Sequence, residues 1–221
     1  MNTLSPEQKN VILDEILASR RSHRAFREEE PPEADIHNII HAGLLAPYAA
    51  AAVGSSHDYF RRFFVMKKES LTMKAAVPFI LAEVDATAVN IRHAMEQDTH
   101  LREQAAGFVE RLEMFRKKGM VPGFGTAPWF VVIAERRGFP PVEQQSLAHC
   151  LENMWLKATA LGLGFQIVSV TGQMGENPGF CKILGISPGE WGLMGCAVGY
   201  PLKELPKASR PTVEEVTRWL D

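Results

Sequence analysis

The segment APWFVVIAE, residues 127–135, is the stretch on which the fold prediction rests. It is rich in β-branched and aromatic residues, which pack well on a pleated surface, and turn residues flank it. An apolar run of this length between turns predicts a strand in the protein core. We therefore expect the rest of the chain to supply neighbouring strands and the helices that cover them.

The residues that follow this strand predict one long helix and two further strands. Between Val142 and Leu161, apolar side chains recur at spacings of three and four, which is typical of a helix with one packed face. Gly162 and Gly164 end that helix, because glycine interrupts helical periodicity. The other elements expected here are strands over 165–170 and 193–200 and helices over 177–184 and 212–220.

The residues before the strand predict mostly helices. Ser5-Pro6-Glu7-Gln8 forms a capping box, which begins a helix that leads to the arginines near residue 20. The apolar run 77–86 fits either a buried strand or the start of a helix. The other expected elements are helices over 33–45 and 90–118 and a short strand over 63–66. Because helices come first and strands are mixed among them, we predict an α+β fold in one domain spanning residues 1–221.

The composition excludes several classes of partner. The chain has 221 residues, 46% hydrophobic and 23% charged, as in an ordinary globular domain, and its net charge of −2 gives no reason to expect nucleic acid or an anionic membrane. No apolar run approaches the ~20 residues of a membrane span, and the N-terminal residues carry no signal-peptide core. Cys150, Cys181 and Cys196 are scattered and match neither a disulfide framework nor a metal-binding spacing. We therefore predict a cytoplasmic protein without a metal site.

The arginine-rich stretch SRRSHRAF, residues 19–26, is the main candidate for a binding site. It places three guanidinium groups and a hydroxyl within five positions, and such donors match the oxygens of a phosphate monoester. A solvated basic surface at the end of a helix is the alternative. A second basic cluster, KASRP at 207–211, is a possible distant partner in the same phosphate site. The basic residues Arg61, Arg62, Lys67 and Lys68 flank a strand and are expected to be solvated.

Four stretches, taken in order, resemble the nitroreductase family of flavin-dependent oxidoreductases, of which the chain is identified as a divergent member. The first two are RRSHRAF at 20–26 and HAGLLAP at 41–47. The third is Ala127-Pro128 before a strand, followed by the helix that carries ENM at 152–154 and runs into LGLG at 161–164. The fourth is AVGYP at 197–201, with Lys207 and Arg210 beyond it.

The resemblance implies a fold, an assembly and a cofactor. The fold is an α/β/α sandwich around a mainly antiparallel sheet, and the assembly is an intertwined homodimer with two FMN molecules at its interface. The helix Leu147–Leu161 is implied to pair the subunits, and the C-terminal segment to reach onto the partner. The implied FMN-binding residues are Arg20, Arg21 and Ser22 with Lys207 and Arg210 for the phosphate and ribityl chain, Arg24 at the pyrimidine edge, Pro47, Tyr48, and the backbone of Val170, Thr171 and Gly172.

The implied activity is transfer of hydride from NADH or NADPH through FMN to a small acceptor such as a nitroaromatic or a quinone. The flavin carries the chemistry, so no catalytic side chain is expected and Arg24 tunes the ring electrostatically. The loop 48–58 lacks the Asn and the Gln-Pro-Trp that the family usually has there. That departure motivates one alternative, a flavin or small-ligand binding protein without turnover. A dimeric structural protein whose arginines are solvated is the other alternative.

Overall fold

A computed structural model describes residues 4–48 and 60–220 of the chain. Its sheet has four antiparallel strands in the order β1-β2-β4-β3. The strands are β1 (Arg61–Lys67), β2 (Trp129–Arg136), β3 (Gly164–Ile167) and β4 (Trp191–Gly199). The helices are α1 (Pro6–Ser19), α2 (Glu33–Leu44), α3 (Leu71–Gln97), α4 (Thr99–Lys118), α5 (Glu143–Ala160), a 3₁₀ helix (Ser169–Glu176), α6 (Pro178–Leu184) and α7 (Val213–Val216).

The central strand β2 shows why the protein is a sandwich. Its side chains alternate between the two faces of the sheet. Phe130 and Val132 belong to one buried cluster, which α3 covers, and Val131 and Ile133 belong to another, which α2 and α5 cover. All four side chains are fully buried. The strand expected at 127–135 and the α+β fold with an antiparallel sheet are therefore confirmed.

The packed face of α5 lies against its own chain. Leu147, Leu151, Met154 and Ala158 are all buried in the cluster that α2 and the sheet complete. The approach of α2 is close: a Cβ on Gly43 would lie 2.9 Å from Cγ of Met154. The predicted packing seam is confirmed, but the implied role of this face in pairing subunits is corrected, because α2 already covers it.

In the helical part, one open alternative is decided and a second prediction is corrected. The ambiguous run 77–86 belongs to the long helix α3, which begins where the side chain of Ser70 accepts a hydrogen bond from the Met73 N–H at 3.1 Å. The charged helix expected over 90–118 is two helices. The helical conformation is interrupted at Asp98. The Oδ1 of Asp98 accepts a hydrogen bond from the Leu101 N–H at 3.0 Å and so caps α4.

The third and fourth corrections concern the C-terminal half. The strand expected over 165–170 ends at Ile167, and a 3₁₀ helix follows it. The last helix is four residues long, where 212–220 was expected, and no residue of it is buried. Within the part of the chain that the structure describes, no helix combines the length and apolar character needed to cross a membrane.

Candidate functional site

The arginine-rich stretch lies along the edge strand β3. Ser22 forms a parallel bridge with Phe165, and the His23 N–H donates to the Phe165 carbonyl at 3.0 Å. Gly164 permits this approach, because a Cβ there would lie 3.0 Å from Cβ of His23. The stretch is therefore an ordered extended segment fixed to the sheet, rather than the free end of a helix.

Arg20 is oriented by α5. Its guanidinium lies 4.2 Å from the centroid of the Trp155 ring, and its Nε is 3.3 Å from Oε1 of Glu152. The indole and the carboxylate hold the planar group in one orientation. No hydrogen bond to another described residue occupies the terminal nitrogens of Arg20, so these donors remain for a ligand.

Arg21 has a different role. Its guanidinium donates to three backbone carbonyls: Nε to Pro206 at 2.9 Å, and one terminal nitrogen to Ala18 at 2.9 Å and to Arg20 at 2.6 Å. These bonds tie the end of α1 to the C-terminal segment. They also bring Lys207, the residue after Pro206, to the neighbourhood of the arginine stretch, where it is exposed.

A cavity of about 400 Å³ lies between the arginine stretch and the helices α3 and α4. One wall is formed by Arg24 and residues 166–170, and the opposite wall by α3 and α4. The charged side chains that line it are Arg24 and Arg111, and no carboxylate does so within residues 4–48 and 60–220. Two cations in a lining that contains no described carboxylate favour an anionic ligand.

The loop residues predicted at the site divide between the cavity and the core. Val170 lines the cavity together with Val168 and Ser169. Thr171 is buried, and its hydroxyl donates to the Val168 carbonyl at 2.7 Å. Gly172 packs on β4, since a Cβ there would lie 3.3 Å from Sδ of Met194. The cavity-facing segment is therefore 166–170, slightly before the predicted 170–172.

Pro47 and Tyr48 lie away from this cavity within one chain. They follow α2, which covers the opposite face of the sheet. The Pro47 carbonyl accepts a hydrogen bond from Arg61 at 3.4 Å, and the Tyr48 hydroxyl donates to the Arg136 carbonyl at 3.1 Å. The rest of the predicted loop, residues 49–58, lies outside the described residues. Arg210, the last predicted phosphate ligand, is exposed on the C-terminal segment.

Sequence reasoning missed Arg61, which it placed in solvent. The side chain is fully buried, with Nε 2.5 Å from Oε1 of Glu135 and a terminal nitrogen donating to the Gly43 carbonyl at 2.7 Å. Burial raises the pKa of Glu135, and the charge of Arg61 partly offsets that rise. The available signal for a buried ion pair was Glu135, the charged residue that ends the apolar run 127–135. In the sheet, Glu135 is the direct cross-strand neighbour of Arg61.

The sheet, its two helical layers and the cationic cavity together define a nitroreductase-like α+β sandwich. The profile of the Nitroreductase family matches residues 17–200. The chain therefore belongs to the nitroreductase family. A comparison with curated protein sequences found no match.

Several differently named flavoproteins have solved structures of similar fold. A nitroreductase with bound FMN from Bacteroides fragilis has a TM-score of 0.64 and 19% identity over 95% of this chain and 98% of that chain. An iodotyrosine deiodinase bound to FMN and 3-iodo-L-tyrosine has a TM-score of 0.64 and 18% identity over 95% and 99%. A BluB-like flavoprotein from Clostridium difficile has a TM-score of 0.62 and 20% identity over 95% and 99%. Because the sequence identities are 20% or lower, these comparisons show a similar fold and no more.

Proposed function

We propose that the protein is an FMN-dependent oxidoreductase that takes hydride from NADH or NADPH and passes it to a small acceptor. The observation that carries the proposal is the cavity beside Arg24, which has cationic and apolar walls and lies in a chain of the nitroreductase family. The FMN-bound nitroreductase of the same fold supports the choice of cofactor.

The donor set suits FMN. A phosphate dianion needs hydrogen-bond donors and positive charge, which Arg20, Ser22, Lys207 and Arg210 would supply. Glu152 and Trp155 already orient Arg20, and its terminal N–H groups have no hydrogen bond to another described residue, so they could bind the phosphate. Arg21 donates its hydrogen bonds to backbone carbonyls, so its part in the site would be to hold the C-terminal segment close to the arginine stretch.

Bound FMN supplies two-electron chemistry between a nicotinamide and an acceptor. The residues of this chain would bind and tune it. Arg24 would place a fixed positive charge near the pyrimidine edge, where negative charge accumulates on reduction, and a preorganised cation of this kind stabilises the developing charge. The apolar side chains of Val84, Leu112 and Val168 in the cavity walls would limit the access of water.

We further propose that the active species is a homodimer. No residue of α1 is buried, and its Val11 is 66% exposed. The C-terminal segment likewise exposes Trp219, at 89%. Large apolar side chains that remain exposed on two separate segments are typical of an interface. A second subunit would also explain how Pro47 and Tyr48, which are remote from the cavity of their own chain, could reach a flavin.

The first experiment is the visible spectrum of freshly purified protein, with its mass in solution. We expect a yellow protein, flavin stoichiometric with chains, and a dimeric mass. Arg20→Ala should purify with little FMN, whereas Arg102→Ala, on the exposed surface of α4, should retain it. If Arg20→Ala and Arg210→Ala both keep stoichiometric FMN, the phosphate assignment is wrong.

Rapid anaerobic mixing with NADH and with NADPH tests the catalytic part. Bleaching of the flavin at the rate of turnover supports the oxidoreductase. A flavin that neither nucleotide reduces supports a binding protein without turnover. A colourless protein that takes up no added FMN overturns the whole proposal.

A further inference from the structure

We propose that Arg111 binds the carboxylate of an aromatic electron acceptor, so that the site prefers anionic aromatic acceptors to neutral ones. The inference rests on the proposed function and narrows its substrate class. Arg111 is a specificity-determining residue on the helical wall of the cavity, opposite the wall that contains Arg24.

The helical wall combines aromatic rings with one cation. Phe108, Arg111, Leu112 and Phe115 all line the cavity, and their spacing of three, four and seven places them on one face of α4. Phe108 is 43% exposed, and the guanidinium of Arg111 lies 5.8 Å from the centroid of its ring. Such a surface offers an apolar contact to a planar aromatic ligand and a charge at its edge.

Arg111 differs from the other arginines on the same pair of helices. Arg116 pairs with Asp85 at 3.4 Å, and Glu113 pairs with Arg92 of α3. Arg102 donates to the Met95 carbonyl. Arg111 has neither an acidic partner nor a hydrogen bond among the described residues, and it borders the cavity. A guanidinium is a bidentate match for a carboxylate, so an unpaired one at a ligand cavity is suited to an acid.

The positions of Arg24 and Arg111 in the cavity lining suit them to different ligands. Arg24 lies in the sequence stretch and on the wall where the flavin is proposed to bind. Arg111 belongs to the helical part of the cavity lining, so it would be left for the acceptor. Because no carboxylate of the described residues lines the cavity, nothing there competes with the acceptor for Arg111.

The test compares 4-nitrobenzoate with the neutral 4-nitrobenzamide, which has nearly the same shape. Holoenzyme turnover is measured with a reduced nicotinamide, and the binding of each compound is measured separately by calorimetry. In the native protein we expect the acid to be favoured by about tenfold in kcat/KM and in affinity, as for a hydrogen-bonded ion pair. Arg111→Gln should abolish that preference by weakening the acid alone, and Arg111→Lys should restore part of it.

Arg116→Gln is the matched control, because it removes a cation from the same helix at a position that is already paired. It should leave the preference for the acid unchanged. The proposal is overturned if the acid and the amide bind equally to the native protein, or if Arg111→Gln keeps the preference. It is also overturned if Arg111→Gln loses FMN, since Arg111 would then belong to the cofactor site. Calorimetry gives these answers even where no turnover is found, so failure of the proposed activity is distinguishable from failure of this inference.

Discussion

The two faces of the sheet use the same residue type in opposite ways. On the face covered by α2 and α5, Arg61 is buried and bonded to Glu135 and to the carbonyls that end α2. On the face covered by α3 and α4, Arg24 and Arg111 border an open cavity and have no acidic partner within the described chain. A buried arginine bonded to a carboxylate and to backbone carbonyls supports the fold, whereas an arginine without an acidic partner at a cavity is available to a ligand.

The largest effect that separates the two faces is expected from Arg61→Met. Removing the guanidinium leaves the Glu135 carboxylate buried without its counter-charge and three backbone carbonyls without their donor. Breaking a buried pair on one side costs about 3–5 kcal/mol. We expect a large fall in the urea midpoint of unfolding, measured by circular dichroism.

Arg62→Met is the control for that measurement. Arg62 is the exposed neighbour on β1, and its guanidinium lies 5.2 Å from the centroid of the Trp191 ring. Its loss should cost less than about 1 kcal/mol, as for other exposed cation–π contacts. Equal midpoints for the two variants would show that burial does not distinguish the arginines. The double variant Arg61→Met/Glu135→Leu should recover part of the lost stability, because neither charge of the pair is then left buried without the other.

A second effect concerns how the arginine stretch is fixed to the sheet. A Cβ on Gly199 would lie 2.8 Å from Cδ of Pro128 and 3.0 Å from Cδ1 of Phe26, both in rigid rings. Gly199→Ala should therefore destabilise the protein by about 1–3 kcal/mol, as overpacking does. It should also weaken FMN retention, because Phe26 must shift and the stretch with it. Flavin content and thermal midpoint are the measurements.

Gly107→Ala is the matched glycine control. The nearest atom to a Cβ at this position in α4 is a terminal nitrogen of Arg111 at 3.9 Å, so space is available. Alanine in a helix is favoured over glycine by about 0.8–1.0 kcal/mol, so this variant should be slightly more stable. A destabilised Gly107→Ala would mean that the surface of α4 at this position is not open to solvent.

The third effect tests the cationic face directly. Arg24→Gln removes the charge proposed to lie beside the flavin, so we expect a lower midpoint potential and about tenfold slower flavin reduction. Arg27→Gln is the comparison, since Arg27 is exposed and donates to the Pro201 carbonyl at 3.2 Å. A potential that is unchanged in Arg24→Gln, with FMN still bound, would remove Arg24 from the electronic role.

The sequence predicted the features that have a local pattern and missed those that depend on tertiary contacts. The strand at 127–135 and the seam of α5 were predictable, because period and composition are local signals. Arg61 was not, since its burial depends on Glu135, which is 74 positions away. The break at Asp98 carried a local cap signal, but the high charge on both sides gave one continuous helical pattern.

The candidate site was predictable in part for a similar reason. The arginine stretch was found from residue types, but periodicity could not tell that Arg21 donates to backbone carbonyls whereas Arg24 borders the cavity. Arg111 gave no signal, because it lies in a charged helix where most arginines are paired or solvated. Its distinction is that it borders the cavity without an acidic partner among the described residues, which only the packing of α3 on α4 makes visible.

The smallest expected effect is the pH dependence that His23 adds to the arginine stretch. Burial, and then the charge of Arg21, lower the pKa of His23 below its usual value of 6.5. The unfolded chain then binds the proton more readily than the folded one, so the stabilisation is fully present above pH 6.5 and is lost as the pH falls from there through the lower pKa of the folded state. His23→Gln should therefore flatten the fall in the urea midpoint between about pH 7 and pH 5, by a small amount because the ring is partly exposed to solvent. His149→Gln, on the exposed side of α5, should keep the slope of the native protein. An unchanged slope in His23→Gln would mean that the stretch adjusts to the charged ring, and that its contact with β3 is looser than the bridge at Ser22 indicates.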